Sequence, residues 1–190
     1  PVGWATGWKL AALEGNPKLC FSTLDTAGVE YERLPDGKAG DPCAFKDVLF
    51  LKQSVTAYSA PLRLSCPLAA SLNLWERKVL QPAAEAAFGV EVERIDTFGT
   101  YSCRRINGSA SGRWSEHATA NAIDIAGFRL SDGRRVSVLK NWAGSTEKGD
   151  FLRHVFKRGC KVFDTALGPE YNAAHADHFH FDRGRWQLCR

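Results

Sequence analysis

The stretch that decides the fold of this 190-residue chain is His178-Phe179-His180-Phe181-Asp182. Its alternation of polar and aromatic side chains predicts a β-strand, because successive side chains of a strand point to opposite faces of a sheet. Phe179 and Phe181 then face the core, while His178 and His180 share the opposite face. One face of the predicted sheet therefore carries two imidazoles.

A second strand is predicted at Ala122-Ile123-Asp124-Ile125, where the isoleucines lie on one face and Asp124 lies on the other. His117 precedes this strand, just as His175 precedes the first one. Four of the five histidines thus lie in two short segments that are rich in carboxylates. A lone histidine is more often an ordinary surface or core residue than a ligand, but this clustering favours a metal site.

Two imidazoles and the Asp124 carboxylate would make a three-ligand zinc site with an open fourth position. Open sites of this kind are typical of catalysis, whereas structural zinc sites are usually closed by four Cys or His ligands. Mixed imidazole and carboxylate donors also suit zinc better than copper or calcium. We therefore expect Zn2+ as the cofactor.

The surrounding sequence predicts an α+β fold, with helices packed on one face of a small, mostly antiparallel sheet. Apolar residues at spacings of three and four predict a helix over 67–89, which Pro82 should kink or divide. A strand is predicted over 90–95, and a second helix over 151–160. The Asp132-Gly133 pair predicts the turn of a hairpin.

The composition, 44% hydrophobic and 24% charged, is that of a soluble globular protein. The length fits one domain. Residues 1–65 are rich in turn signals and are expected to form an N-terminal cysteine-stapled subregion. Residues 66–190 are expected to form one compact unit that holds the metal site.

The net charge of +4 is a mild basic excess. Its basic residues lie in short pairs such as Arg104-Arg105 and Arg134-Arg135 and in the 183–190 tail, a pattern that argues against nucleic acid as a partner. The pattern is compatible with weak attraction to a polyanionic polymer such as a bacterial cell wall. No apolar run approaches the ~18 residues of a membrane-spanning helix, so no transmembrane segment is expected.

Six cysteines, an even number without any C-x-x-C pair, predict a disulfide framework rather than a zinc finger or six buried thiols. Sequence alone leaves the connectivity open. Pairing of sequence neighbours is the simplest hypothesis, and it gives Cys20–Cys43, Cys66–Cys103 and Cys160–Cys189. Disulfides indicate a compartment outside the cytoplasm.

The pattern Ser-x-His-(x)6-Asp followed by His-x-His resembles the zinc peptidases of the D-Ala-D-Ala carboxypeptidase and Hedgehog superfamily. Within that superfamily it is most similar to the bacterial extensin-like C-terminal domain family, over roughly residues 20–190. The resemblance rests on several short motifs together, each of which would be weak alone: Tyr101-Ser102-Cys103-Arg104, Ser115-Glu116-His117, Ala122-Ile123-Asp124, Leu167-Gly168-Pro169-Glu170-Tyr171-Asn172 and Cys189-Arg190.

The resemblance implies a Hedgehog/DD-peptidase-like fold and zinc ligation by His117, Asp124 and His180. It also implies a periplasmic or secreted bacterial hydrolase that acts on peptidoglycan stem peptides, and we expect a monomer. A D,D-endopeptidase, an L,D-endopeptidase and a carboxypeptidase all remain open. The chain departs from the superfamily in one turn, where Ala120 stands in the place of the usual Gly three residues after the first His.

A second departure concerns the catalytic base, because Asp177 stands where many relatives carry Glu. In a regular strand Asp177 would point away from His180, whereas His178 shares the face of His180. We therefore favour His178 as the residue that accepts a proton from the attacking water. Asp177 is the alternative base if a bulge intervenes, or it holds an imidazole N–H beside the zinc.

Arg104 is the candidate that stabilises the oxyanion, since the superfamily places an Arg in the comparable loop, and Arg105 is the fallback. Arg104 could equally be an ordinary surface residue beside a disulfide. Glu116 is expected to be a solvated charge, and His154 to be exposed on its helix. His175 would either cap a turn or line the substrate groove.

Two functions other than an enzyme fit the same residues. One is a zinc-holding, non-catalytic module of the same fold that binds the cell wall. The other is a disulfide-stapled extracellular interaction protein whose histidines are incidental. Metal content and the effect of a His178 substitution would separate the three.

Overall fold

The computed structural model describes residues 2–190, without the side chains of Trp4 and Ala5. Helices and strands are interspersed along these residues. The helices are α1 (Trp4–Ala11), α2 (Pro17–Thr26), α3 (Cys66–Trp75), α4 (Gln81–Phe88), α5 (Val138–Asn141) and α6 (Glu147–Gly159). The strands are β1 (Glu30–Arg33), β2 (Val48–Gln53), β3 (Ala57–Tyr58), β4 (Leu62–Ser65), β5 (Val92–Gly99), β6 (Ala122–Leu130), β7 (Arg135–Ser137), β8 (Thr165–Leu167), β9 (Phe179–Asp182) and β10 (Leu188–Cys189).

The strands form two sheets rather than the single small sheet that the sequence predicted. A three-stranded antiparallel sheet has the order β1-β2-β4. The larger sheet has the order β10-β8-β9-β6-β5-β3, with β7 paired to β6. Its central pairs are antiparallel, and only the β3–β5 and β10–β8 pairs are parallel. The predicted α+β class and the mostly antiparallel sheet are confirmed.

The helices α3 and α6 cover the apolar face of the larger sheet. The fully buried Trp75 of α3 donates its indole N–H to the carbonyl of Val155 in α6, at 3.1 Å. The same indole lies against Phe181 of β9, with the ring centroids 5.7 Å apart. Burying an aromatic side chain of this kind stabilises the fold by about 1.5–3 kcal/mol. The face that carries Phe179 and Phe181 is thereby fixed inward, as the alternation predicted.

The long helix predicted over 67–89 is present and is divided as expected. A single π-helical segment, Glu76–Leu80, joins α3 to α4. Pro82 lies in the first turn of α4, where its missing N–H costs no internal hydrogen bond. Gly89 ends the helix with φ 69°, a left-handed conformation that glycine adopts without steric cost.

All six cysteines form disulfides, but two of the three neighbour pairings were wrong. The bonds are Cys20–Cys66, Cys43–Cys103 and Cys160–Cys189, so only the last pairing is confirmed. Cys20 meets Cys66 because α2 packs beside the start of α3. Cys43 meets Cys103 because the loop before β2 lies against the segment that follows β5. Neighbours in sequence are not neighbours in space here.

The division at residues 65 and 66 stays a prediction. Strand β4 runs directly into α3, and two disulfides cross the boundary. One apolar core contains buried residues from both sides, such as Leu24 and Leu64 from the N-terminal part and Trp75 from the remainder. None of the helices in the described part of the chain is long and apolar enough to cross a membrane.

Candidate metal centre

The first residue of the site, His117, lies in a short 3-10 turn, Glu116–Thr119, just before β6. The Ser115 hydroxyl caps this turn by accepting a hydrogen bond from the His117 backbone N–H. The imidazole is buried, and its Nδ1 lies 3.1 Å from the carbonyl oxygen of Thr100. Because only an N–H can bond to a carbonyl, Nδ1 donates, and Nε2 is left with its lone pair facing the site.

The turn that carries His117 ends at Ala120, which has φ 57° and ψ 29°. This left-handed conformation explains why the superfamily pattern has glycine at this place. Ala120 is small enough to adopt it, and its carbonyl accepts a hydrogen bond from the Ser65 backbone N–H at 2.8 Å. The tight turn therefore survives the substitution.

Asp124 and His180 lie directly opposite each other on the neighbouring strands β6 and β9. The two side chains point away from the apolar face, and His180 Nδ1 lies 3.0 Å from Asp124 Oδ1. The other ring nitrogen, Nε2, donates to Asp182 Oδ2 at 2.9 Å. Asp182 is buried. It belongs to the same strand face as His180, and the alternation of residues 178–182 could have identified it.

The three residues place one ligand atom each within 4.8 Å of the others. His117 Nε2 lies 3.2 Å from His180 Nδ1 and 3.2 Å from Asp124 Oδ2. With the outer nitrogens committed to Thr100 and Asp182, the two imidazoles, if both were neutral, would present only lone pairs toward the Asp124 carboxylate. Three acceptors without a donor repel one another, so the donor set fits a cation. A zinc ion prefers such imidazole and carboxylate ligands.

The pKa shifts of Asp124 and His180 also indicate that this site needs a positive charge. Burial alone would raise the pKa of Asp124, but hydrogen bonds from His117 and His180 hold it well below its usual range. Burial would lower the pKa of His180, but its hydrogen bonds to Asp124 and Asp182 raise it to about 9. Both directions mean that positive charge at this place is stabilised. A proton on His180 or a bound metal ion can supply that charge.

His178 lies beside the cluster, one residue before β9. Its Nε2 is 3.6 Å from Asp124 Oδ1, and its Nδ1 donates to Asp177 Oδ1 at 2.8 Å. The edge of Phe98 packs on the imidazole at a centroid distance of 5.7 Å. The pairing of β6 with β9 runs in register from Ala122 to Ile125. This pairing contains no bulge of the kind that the alternative role of Asp177 requires, and Asp177 instead contacts the His178 ring. The role of either residue as base stays a prediction.

His175 contacts both a turn and the neighbouring His178, and whether it lines a substrate groove stays a prediction. Its Nδ1 lies 2.8 Å from the Asn172 side chain in the Ala173–His175 turn, and its ring centroid is 5.2 Å from that of His178. It thus caps a turn and also lines the rim of the site. Burial, together with the neighbouring His178 and His180, lowers the pKa of His175 to about 4. His175 is therefore neutral at physiological pH.

The remaining predicted residues lie around this cluster. Arg104 is exposed, and its side chain makes no hydrogen bond or ion pair with another described residue, so its oxyanion role stays a prediction. The fallback, Arg105, is engaged elsewhere, because its guanidinium stacks on Trp114. Glu116 is half-buried and accepts a hydrogen bond from Asn121 Nδ2, so it is not the solvated charge that we expected. His154 is exposed, as predicted.

Sequence reasoning missed two groups that hold the histidines. The Asp182 carboxylate holds His180, and the Thr100 carbonyl holds His117. A backbone carbonyl leaves no trace in the side-chain sequence, so only the fold could reveal the second contact. Partners of this kind fix the tautomer and orientation of metal-binding imidazoles.

The fold and site together define a disulfide-bonded α+β protein with a candidate His–Asp–His metal centre on the open face of its larger sheet. The family described as extensin-like protein C-terminus matches residues 18–190, which is most of the chain. The chain therefore belongs to this family. Comparison with the curated proteins and with the solved structures gave no match.

Proposed function

We propose that this protein is a zinc-dependent peptidoglycan hydrolase that cleaves the amide bonds of stem peptides, in the periplasm or outside the bacterial cell. The observation that carries the proposal is the convergence of His117 Nε2, His180 Nδ1 and Asp124 on one point, with a fourth titratable group, His178, beside it. Structural zinc sites are usually closed by four protein ligands, whereas only three ligand atoms of the described residues converge here, which would leave a coordination position for water. When bound, a zinc ion supplies Lewis acidity for amide hydrolysis.

The side chains around the candidate metal centre have separate roles in the proposed reaction. His178 Nε2 faces the cluster and can accept a proton from the attacking water, while Asp177 holds Nδ1–H and so fixes the tautomer that leaves Nε2 basic. Phe98 and His175 both pack against the His178 ring and restrict its rotation. Arg104, exposed on the adjoining loop, is the group proposed to face the developing oxyanion.

The finer identity of the substrate is part of the proposal. D,D- and L,D-endopeptidase cleavage of cross-links and carboxypeptidase action use the same constellation and differ in the groove around it. Three disulfides fit an extracellular or periplasmic protein. We propose that the enzyme acts as a monomer.

The test couples elemental analysis of the native protein to digestion of purified cross-linked muropeptides. We expect about one zinc per chain and cleavage by the wild type. His178→Asn should keep its zinc and lose about 100- to 10,000-fold in turnover, the typical contribution of a general base. His117→Ala should lose both zinc and cleavage. His154→Asn, on the exposed side of α6, is the matched histidine control and should retain both.

Two results would overturn parts of the proposal separately. Zinc in the wild type without cleavage of any muropeptide would leave a metal-holding module that binds the cell wall. Absence of zinc from protein isolated at neutral pH would eliminate the metal centre itself. Equal turnover of His178→Asn and wild type would remove His178 as the base and turn attention to Asp177.

A further inference from the structure

A second surface lies next to the candidate metal centre, on the chain between β5 and β6. Residues 104–115 fold back as a short hairpin, in which Ser115 N–H donates to the Arg104 carbonyl and Ile106 N–H donates to the Arg113 carbonyl. Arg105 and Trp114 form a single β-bridge across it. We call this element, together with the adjacent Arg185 and Trp186, the arginine–tryptophan hairpin.

Two cation–π pairs organise the arginine–tryptophan hairpin. The Arg105 guanidinium lies 4.4 Å from the ring centroid of Trp114, and the Arg113 guanidinium lies 5.1 Å from that of Trp186. Trp186 nevertheless stays 62% exposed and Trp114 37% exposed. Each indole is thus held in place by an arginine while part of its surface faces solvent. An aromatic ring already held in place loses little further freedom when a ligand packs on it.

The charge of this surface is not compensated by the protein. Residues 97–115 contain three arginines and no Asp or Glu, and residues 183–190 contain three more, again without an acidic residue. Only Arg183 among them is buried, and it pairs with Glu14 and Asp164. The other five make no ion pair with a carboxylate of the described residues. Four of these five, Arg104, Arg105, Arg113 and Arg185, belong to the arginine–tryptophan hairpin, which therefore carries a local excess of positive charge.

The hairpin is anchored at the candidate metal centre. In the segment just before the hairpin, the Thr100 carbonyl accepts the hydrogen bond from His117 Nδ1, and Ser102 N–H donates to the His117 carbonyl at 3.0 Å. The Cys43–Cys103 disulfide holds the same segment. The hairpin and the candidate metal centre are therefore held next to each other in the fold.

We propose that the arginine–tryptophan hairpin binds an anionic polysaccharide. Sugar rings would pack their apolar C–H faces on the exposed surfaces of Trp114 and Trp186, and sugar carboxylates would pair with Arg113 and Arg185. An anion alone would need no ordered indoles, and a neutral glycan would need no arginines. The three disulfides favour a compartment in which a cell-wall glycan, rather than a nucleic acid, is the polyanion at hand.

The proposal rests on the proposed function only in its choice of glycan, because the hairpin needs no metal. Its test is titration calorimetry with peptide-free peptidoglycan glycan strands, whose muramic acid residues carry carboxylates. Trp186→Ala and Arg113→Ala should each weaken binding by about 5- to 100-fold, the range typical of a lost stacking or ion-pair contact. Trp8→Ala, which removes a 77% exposed indole from α1, is the matched control and should bind as the wild type does.

Arg113→Lys separates charge from stacking geometry, because it keeps the positive charge and loses the planar guanidinium. We expect binding intermediate between wild type and Arg113→Ala. Circular dichroism of each variant will show that the exposed substitutions leave the fold intact. Unchanged affinity in both Trp186→Ala and Arg113→Ala would overturn the proposal, and so would equal affinity for uncharged chitin oligosaccharides. Tighter binding of a single-stranded oligonucleotide than of the glycan would replace the polysaccharide with nucleic acid.

Failure of this proposal is distinguishable from failure of the proposed function. Asp124→Asn, which removes a metal ligand, should bind the peptide-free glycan as the wild type does. Loss of glycan binding in Asp124→Asn would overturn the independence of the hairpin from the centre. Cleavage of short muropeptides without glycan binding would refute the hairpin proposal alone. Glycan binding without cleavage would refute the peptidase alone.

Discussion

Two regions of the molecule each hold a shielded carboxylate, and the consequences are opposite. Asp124 lies among imidazoles, which hold its pKa well below the usual range in spite of its burial. Glu76, in the π-helical segment before α4, is fully buried, and this burial raises its pKa to about 7. Its partners are the Thr56 backbone N–H at 2.9 Å and the Tyr58 hydroxyl at 2.5 Å.

The difference lies in whether the partners can carry positive charge. Imidazoles can hold a proton or share a cation with the carboxylate, so Asp124 remains an anion. An amide and a phenol donate hydrogen bonds but stay neutral, and they do not offset the full cost of burying a charge. The Asp124 region is therefore suited to a cation, whereas the Glu76 region connects the segment before β3 to the long helix.

The largest effect is expected when the charge of Asp124 is removed, which tests whether this carboxylate, unlike Glu76, serves to bind a cation. Asp124→Asn should reduce zinc from about one per chain to none, because an amide is a poor zinc ligand and the two histidines alone leave the site incomplete. Glu76→Gln is the matched carboxylate-to-amide control and should keep its zinc. Elemental analysis after dialysis measures both. Retention of zinc by Asp124→Asn would mean that the ion binds elsewhere.

The pH dependence of the free energy of unfolding tests the raised pKa of Glu76. A carboxyl whose pKa is about 7 in the folded protein and 4.5 in the unfolded chain binds its proton more tightly when folded. Its stabilising contribution is complete below pH 4.5 and is lost as the pH rises through 7. Over this window wild type should lose roughly 3 kcal/mol relative to Glu76→Gln, since one pKa unit corresponds to about 1.4 kcal/mol. Urea unfolding at pH 4.5 and pH 8 measures it, and parallel stability curves for the two proteins would contradict it.

Asp182 provides a second test at the candidate metal centre, because it contacts the proposed ligand His180 and would not contact the ion itself. Asp182→Asn should weaken zinc binding by about 10- to 100-fold, the range typical of partners that orient a metal-binding histidine. Competition against a chelator of known affinity measures the change. The exposed Asp132, changed to Asn, is the control. An affinity equal to that of wild type would show that Asp182 does not position the ring.

The smallest expected effect is at the turn that brings His117 to Asp124. Ala120→Gly relieves a left-handed conformation that costs an L-residue about 1–2 kcal/mol, but it also increases the entropy of the unfolded chain. We expect a net stabilisation of about 0.5 kcal/mol and unchanged zinc content. Thermal unfolding with and without zinc measures both. Marked destabilisation would mean that the buried Ala120 methyl group contributes more packing energy than the turn costs.

The sequence predicted those parts of the molecule that periodicity controls. Alternation in residues 178–182 correctly placed Phe179 and Phe181 in the core, and the clustered histidines indicated the group that could hold a metal ion. Contacts between distant elements were not predictable, because they depend on how the helices and loops pack. Cys20 meets Cys66 only through the packing of α2 on α3. The burial of Glu76 likewise depends on the packing of Thr56 and Tyr58 beside the helix.

The Cys20–Cys66 and Cys43–Cys103 disulfides interleave, because Cys43 lies between Cys20 and Cys66, and Cys66 lies between Cys43 and Cys103. When the chain enters an oxidising compartment N-terminus first, Cys20 and Cys43 arrive before either native partner. Oxidation in order of arrival would then join the wrong pair and leave Cys103 without Cys43. Thiol–disulfide exchange must reverse that bond before the native one can form. If the cysteines are oxidised in this order, the native pairs would form only after isomerisation of the first bond, and delayed oxidation would avoid that step.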